Sequence, residues 1–325
     1  MIYPWHMQVW EDLRLRLENL PHALLIHGPQ GVGKLSLAEH LAQSLLCEAE
    51  DRNQAPCGKC DGCRWFVAGS HPDFRLLEPE SLARRPAASE EEELPAEGPA
   101  STRKPSNEIR VEQIRGLDRF LNHQSHRGGR RVALVHPAEA MNVNAANALL
   151  KGLEEPPGSA VFILVSHHAA RLLATIRSRC VTVPVGLPSP EAARAWLAGE
   201  RVTEPERWLA YASGAPLRAR ADAQTAGAVL AGLREALQVR DLESLGAVND
   251  REGLQVLAEA LQKYALDRAF ASFTGRGKYA AAKPSAQGLA WLRFAREMGR
   301  NRLLARHPLN PRLFAGEMLE GMPED

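Results

Sequence analysis

HALLIHGPQGVGKLSLAEHLAQSLLC, residues 22–47, decides the fold. Its first part, HALLIHG (22–28), is a short apolar run closed by a glycine and reads as a buried strand. Leu37, Leu41 and Leu45 then recur at helical spacing. Between them, Gly28 to Lys34 follow the phosphate-binding pattern G-x-x-x-x-G-K-[ST] up to its last position. Strand, glycine-rich loop and helix form the context in which backbone N–H groups cradle phosphates. Gly28, Gly31, Gly33 and Lys34 are therefore the candidate nucleotide-contacting residues. The last position is Leu35, which has no atom to offer magnesium. Ser36 comes one residue late and is turned about 100° around the helix.

Outward from this stretch the chain alternates. Residues 9–20 place Trp10, Leu13, Leu17 and Leu20 on one helical face, and VEQIRGLDRFLN (111–122) does the same with Val111, Ile114, Leu117 and Leu121. RRVALVH (130–136), AVFILVS (160–166) and VTVPV (181–185) read as strands, and NAANALLKGLEEPP (144–157) as a helix stopped by prolines. Continuous apolar runs separated by helices predict an α/β domain with a parallel sheet covered on both faces. The strand at 130–136 ends in His136 where a nucleotide hydrolase needs an acidic residue, and Glu139 follows three positions later. Two magnesium-handling positions are thus altered, and no intrinsic ATPase activity is expected.

After Pro188 the strands cease. Segments 190–198 and 204–212 read as short helices, SGAP (213–216) as a break, and the remainder as helices throughout. The expected parts are an α/β domain over 1–187, a small helical domain over 188–216 and a helical domain over 217–325. Residues 79–107 carry five prolines and the run Glu90 to Glu93, and are expected to be a disordered or loosely held insertion.

Cys57, Cys60 and Cys63 form C-x2-C-x2-C, with Cys47 upstream at the end of the loop's helix. Four thiolates suit a closed, structural tetrahedral zinc site over 47–63. An iron–sulfur cluster and unmetallated thiols are the alternatives, and His71 is a spare ligand. The stretch IRSRC ends in Ser178, Arg179 and Cys180, where small neighbours frame an arginine at the sheet rim. On composition alone such an arginine is usually a solvated or capping charge. The basic run HQSHRGGRR (123–131) can touch phosphates or form a solvated loop.

The 325 residues carry a net charge of +1, with 45% hydrophobic and 24% charged residues, so no global basic field points to nucleic acid. No apolar run reaches the length of a membrane span, and the N-terminus lacks the layout of a signal peptide. The cytoplasm is the expected location, where disulfide pairing of the five cysteines is not expected.

Together the motifs resemble the delta-prime family of bacterial DNA polymerase III clamp-loader subunits. The resemblance rests on YPW near the start, HALLIHGPQGVGK, the four-cysteine module, AGSHPDF, MNVNAANALLKGLEEPP and LLATIRSRC, and covers about residues 1–187. It implies an AAA+ module, a helical lid over 188–216 and a helical collar over 217–325 that joins subunits in a ring. It implies structural zinc, and a subunit that does not hydrolyse ATP itself. Arg179, with Ser178 and Cys180 beside it, would then reach the ATP of a neighbouring subunit as an arginine finger. The implied partners are tau/gamma ATPase subunits and a delta subunit in a hetero-pentamer, which places a sliding clamp on primed DNA. Two other readings remain: an autonomous ATPase that recruits Glu139 for magnesium, and a free-standing DNA-binding protein built on the cysteine module.

Overall fold

In the computed structural model, residues 2–83, 105–122, 129–225, 248, 250–277, 285–305, 307 and 309–323 are described. The chain divides into two compact units, Met1–Leu187 and Pro188–Asp325.

The first unit holds a five-stranded, all-parallel sheet in the order β2-β3-β4-β1-β5. The strands are β1 (Ala23–His27), β2 (Phe74–Leu77), β3 (Arg131–Val135), β4 (Ala160–Ser166) and β5 (Val181–Pro184). β3 and β4 are buried at every residue, as continuous apolar runs require. Helices α1 (Met7–Arg14), α2 (Lys34–Leu45), α3 (Asp61–Val67), α4 (Val111–Asn122), α5 (Val143–Glu154) and α6 (Ala174–Arg177) complete the unit. One core cluster joins Ile114, Leu117 and Leu121 of α4 and Leu149 and Leu153 of α5 to Phe162 and Leu164 of β4. Asn142 caps α5, its side chain accepting from the Ala145 amide at 2.9 Å.

The structure differs from expectation in two places. β2 was not expected: it is an edge strand of four residues of which only Leu77 is buried, too little pattern to see. The first helix does not run to residue 20 but ends at Arg14. The Arg130 guanidinium takes the carbonyls of Leu17 and Glu18, each at 2.6 Å, and so stabilises the turns that replace the helix. The segment 79–107 lies for the most part, 84–104, outside the described residues, but its ends are tied together. Ser81 N–H donates to the Ser106 carbonyl at 3.0 Å, and the Ser106 amide to Glu80 Oε2 at 2.9 Å.

Of the basic run 123–131, positions 123–128 are outside the described residues. Arg131 is 4% exposed, pairs with Asp73 at 3.4 Å and lies over the Phe120 ring. Together with Arg130, it is engaged in holding the fold.

The second unit is helical where described: α7 (Pro190–Gly199), α8 (Pro205–Tyr211), α9 (216–225), α10 (Arg251–Thr274), α11 (Gly288–Leu304) and α12 (Pro311–Glu320). The helix expected in AGAVLAGLREAL (226–237) lies outside the described residues. One cluster gathers Ala193, Leu197, Trp208 and Tyr211, and a second gathers Leu254, Leu257, Leu261, Trp291, Phe294 and Met298. Lys263 ties α10 to α8: its ammonium sits 3.4 Å from the Tyr211 ring centroid and 2.9 Å from Glu259. No helix among the described residues is long and apolar enough to cross a membrane.

Candidate functional site

The glycine-rich loop leaves the C-terminal end of β1, beside β4 and β5. Gly28 fits there because a Cβ would stand 1.9 Å from the Val185 carbonyl oxygen. Gly33, with φ +86°, is the N-cap of α2, and a Cβ on it would strike the Tyr3 ring at 2.5 Å. The N-terminal residues therefore lie over the loop. Trp5 Nε1 donates to the Val32 carbonyl at 2.9 Å, and the His6 ring bonds the same oxygen at 2.7 Å. Because that oxygen only accepts, His6 carries its proton on Nε2.

Lys34 is 2% exposed. Its ammonium donates to the carbonyls of Gly28 at 2.8 Å and Pro29 at 2.5 Å, turning back onto its own loop. Burial lowers it to about 8, opposed by the charge of Glu139. Glu139 stands in the turn after β3. Burial pushes its carboxyl up, but its own amide, Ser166 and the His167 amide outweigh this and hold it below the usual range. The His167 amide reaches Glu139 Oε1 at 2.9 Å. His136, where an acidic residue was sought, bonds Glu78 at 3.0 Å, and its ring stands edge-on to His167 at 5.4 Å. The site thus contains Lys34, Glu139 and two imidazoles, and Leu35 beside the lysine brings no hydroxyl. YPW was noted for resemblance alone, not as a cover for the loop, and Glu78, Ser166 and His167 were not singled out in the sequence. The fold brings them in from strand ends far apart in the chain.

The four cysteines form the candidate metal centre. Their Sγ atoms all lie within 4.8 Å of one another, and Cys47 Sγ is 3.9 Å from Cys60 Sγ. Tetrahedral zinc with Zn–S near 2.3 Å places its sulfurs about 3.8 Å apart, so the set fits a closed S4 site. Cys60 caps α3, accepting from the Cys63 amide at 3.3 Å, and Cys57 Sγ accepts from the amides of Lys59 and Cys60, each at 3.4 Å. Those two amides hold the Cys57 thiol at about 6, whereas burial pushes Cys47 and Cys63 up. A bound cation is what would let all four ionise together. His71 is outside this group, and its Nδ1 accepts from the Asp73 amide at 3.0 Å.

Arg179 lies elsewhere, between α6 and β5. Its Nη2 is 2.5 Å from Glu154 Oε1 and its Nη1 donates to the Thr175 carbonyl at 3.0 Å. Ser178 Oγ donates to the same carbonyl at 3.1 Å. Cys180 is buried in the main core, and burial raises its thiol to about 11. The arginine is therefore partly exposed and held by Glu154 and the Thr175 carbonyl. Leu24 pairs with Val181, and His27 with Pro184. Arg179, before β5, is thus at the N-terminal rim of the sheet, and the Gly28–Lys34 loop, after β1, is at the opposite rim.

Comparison with known proteins agrees with this architecture. A family model described as "DNA polymerase III, delta subunit" matches residues 6–187. The DNA polymerase III subunit delta-prime of Pseudomonas aeruginosa is 45% identical over 222 residues, which cover 67% of this chain and 60% of that protein. That of Escherichia coli K12 is 34% identical over 210 residues, 64% of this chain and 56% of that protein. The chain thus spans less than two thirds of the length of these curated relatives. Among solved structures, a DNA polymerase III gamma subunit-related protein from Thermotoga maritima superposes with a TM-score of 0.50 at 17% identity, covering 96% of this chain and 97% of that one, a likeness of fold. The sheet is accordingly that of an AAA+ clamp-loader-like module with a helical C-terminal region, and the chain belongs to the delta-prime family of DNA polymerase III subunits.

Proposed function

We propose that this chain is the delta-prime subunit of a clamp loader, in which it hydrolyses no ATP but supplies Arg179 to the nucleotide of a neighbouring ATPase subunit. One observation carries the reading: Arg179 and the Gly28–Lys34 loop stand at opposite rims of one sheet. The intervening length of β1 amounts to roughly 15–20 Å, beyond the reach of an arginine side chain. That separation supports a reading in which the phosphate met by Arg179 is held by another molecule. There a planar guanidinium would offset the charge that develops on the transferring phosphoryl group. Within the chain, Leu35 and His136 leave magnesium without its usual ligands, and Lys34 bonds its own loop.

The same proposal takes the tau/gamma ATPase subunits and a delta subunit as partners, with sliding clamp and primed DNA engaged through the assembly. It takes 188–216 as lid and 217–325 as collar, and zinc as the structural ion of Cys47, Cys57, Cys60 and Cys63. The rival, an autonomous ATPase, rests on Glu139 staying ionised close to Lys34.

The test is ATP turnover by the full chain alone and by the reconstituted complex. The chain alone is expected to show none. Arg179→Ala is expected to leave assembly intact and to cut turnover at the interface it serves by about 10³-fold or more, as for arginine fingers supplied in trans. Turnover by the isolated chain that disappears in Lys34→Ala would establish the rival. An Arg179→Ala complex that hydrolyses ATP and loads clamps normally would remove the role given to Arg179.

A further inference from the structure

The carboxylate of Glu154 holds the guanidinium of Arg179. Glu154 is the last residue of α5, whose Leu149 and Leu153 are fixed in the main core. Ile176 and Cys180, which flank Arg179, are buried in that same core. The two backbones are thus set by one packed layer, and the side chains meet at its edge. Their contact is 2.5 Å between Nη2 and Oε1, with side-chain exposures of 35% for Arg179 and 49% for Glu154. The second hold is neutral, from Nη1 to the Thr175 carbonyl at 3.0 Å.

We propose that Glu154 is a positioning residue that parks Arg179 in the free subunit and yields it to the terminal phosphate of a neighbour's nucleoside triphosphate. This rests on the reading in which Arg179 acts in trans. A free arginine at a rim samples many rotamers and must be ordered at the moment of docking. Glu154 instead holds it in one place until a stronger anion arrives. The ion pair is half in water, so its strength is modest and docking can break it. A phosphate with two or more charges outcompetes a single carboxylate for the guanidinium fork. Once the arginine has moved, Glu154 is left facing an anion, and repulsion favours separation of the two. A neighbour that carries only a diphosphate offers no terminal group at that position, and Arg179 stays on Glu154. The pair thereby sets a modest cost that only a terminal phosphate meets.

The test compares Glu154→Gln, Arg179→Ala and the double variant, all as full chains. In the free chain, phenylglyoxal modification of Arg179 is followed by peptide mass spectrometry, and Glu154→Gln is expected to raise its rate about two- to five-fold, the range of an exposed ion pair. In the reconstituted complex, Glu154→Gln is expected to lower the half-saturating ATP concentration by a similar factor, to leave ADP binding unchanged and so to raise the preference for ATP over ADP, with kcat unchanged. Both shifts should vanish when Arg179 is already alanine. If Arg179→Ala cuts kcat while Glu154→Gln matches the parent in modification rate and half-saturation, the parking role is wrong and the arginine's role stands. If Arg179→Ala leaves kcat unchanged, the role in trans fails and the parking role fails with it.

Discussion

Acidification should weaken the first unit through His167. Burial, and then the charge of Lys34, lower this imidazole to about 4 from an ordinary 6.5, with Glu139 opposing. The folded chain therefore binds fewer protons here than the unfolded chain between those two values. Stability from this group is complete above pH 6.5 and is lost as the pH falls toward 4. At pH 5.5 such a shift corresponds to about 1.4 kcal/mol. The ring keeps a partly solvated edge, so screening reduces the expected effect to about half, ~0.7 kcal/mol. The perturbation is His167→Gln, which removes the titrating ring and keeps the backbone N–H that serves Glu139. Hydrogen exchange of the β1 and β4 amides, read by mass spectrometry in the full chain, gives the opening free energy of the first unit alone. Between pH 7.5 and 5.5 the parent should lose about 0.7 kcal/mol relative to the variant. Parallel pH dependences would show that burial and Lys34 do not hold the imidazole neutral, and would refute the reasoning.

The cysteine centre should hold one zinc per chain, with X-ray absorption reporting four sulfurs near 2.3 Å. Zinc should be released on acidification as the thiolates protonate, and Cys60→Ser should weaken retention against a chelator. Visible absorption from an iron–sulfur cluster, or four thiols that titrate freely in the folded chain, would contradict the zinc assignment. Asn142→Ala should destabilise α5 by about 1 kcal/mol, read as faster exchange of its first-turn amides, since the cap's bond to Ala145 is lost. Unchanged exchange there would mean that the cap contributes nothing.

Much of the first unit was legible because burial on two faces leaves a mark in sequence. β1, β3 and β4 are apolar runs with nothing polar inside them, and α4 begins and ends where its leucine spacing does. β2 left no such mark, being short and half exposed at the sheet edge, and with it Glu78 was lost from view. The end of the first helix depends on Arg130, 113 residues away from Leu17, and no local pattern reports a partner that distant. The candidate metal centre was legible because its four cysteines are close in the chain. IRSRC drew attention to Arg179, and only family resemblance suggested a role for it; its contact with Glu154 was not visible at all, since α5 and α6 meet only after β4 has crossed the sheet.

The tie between Ser81 and Ser106 has a consequence for what the chain tolerates. It joins the two ends of the intervening stretch, with the pairing of β2 and the start of α4 on the domain side. Loop closure grows slowly with length, by about 0.6 kcal/mol for each doubling. Residues could therefore be added or removed beyond that tie with little effect on the sheet. A fluorophore or an affinity handle inserted there, with the exchange of the β2 and β3 amides as readout, would measure that tolerance.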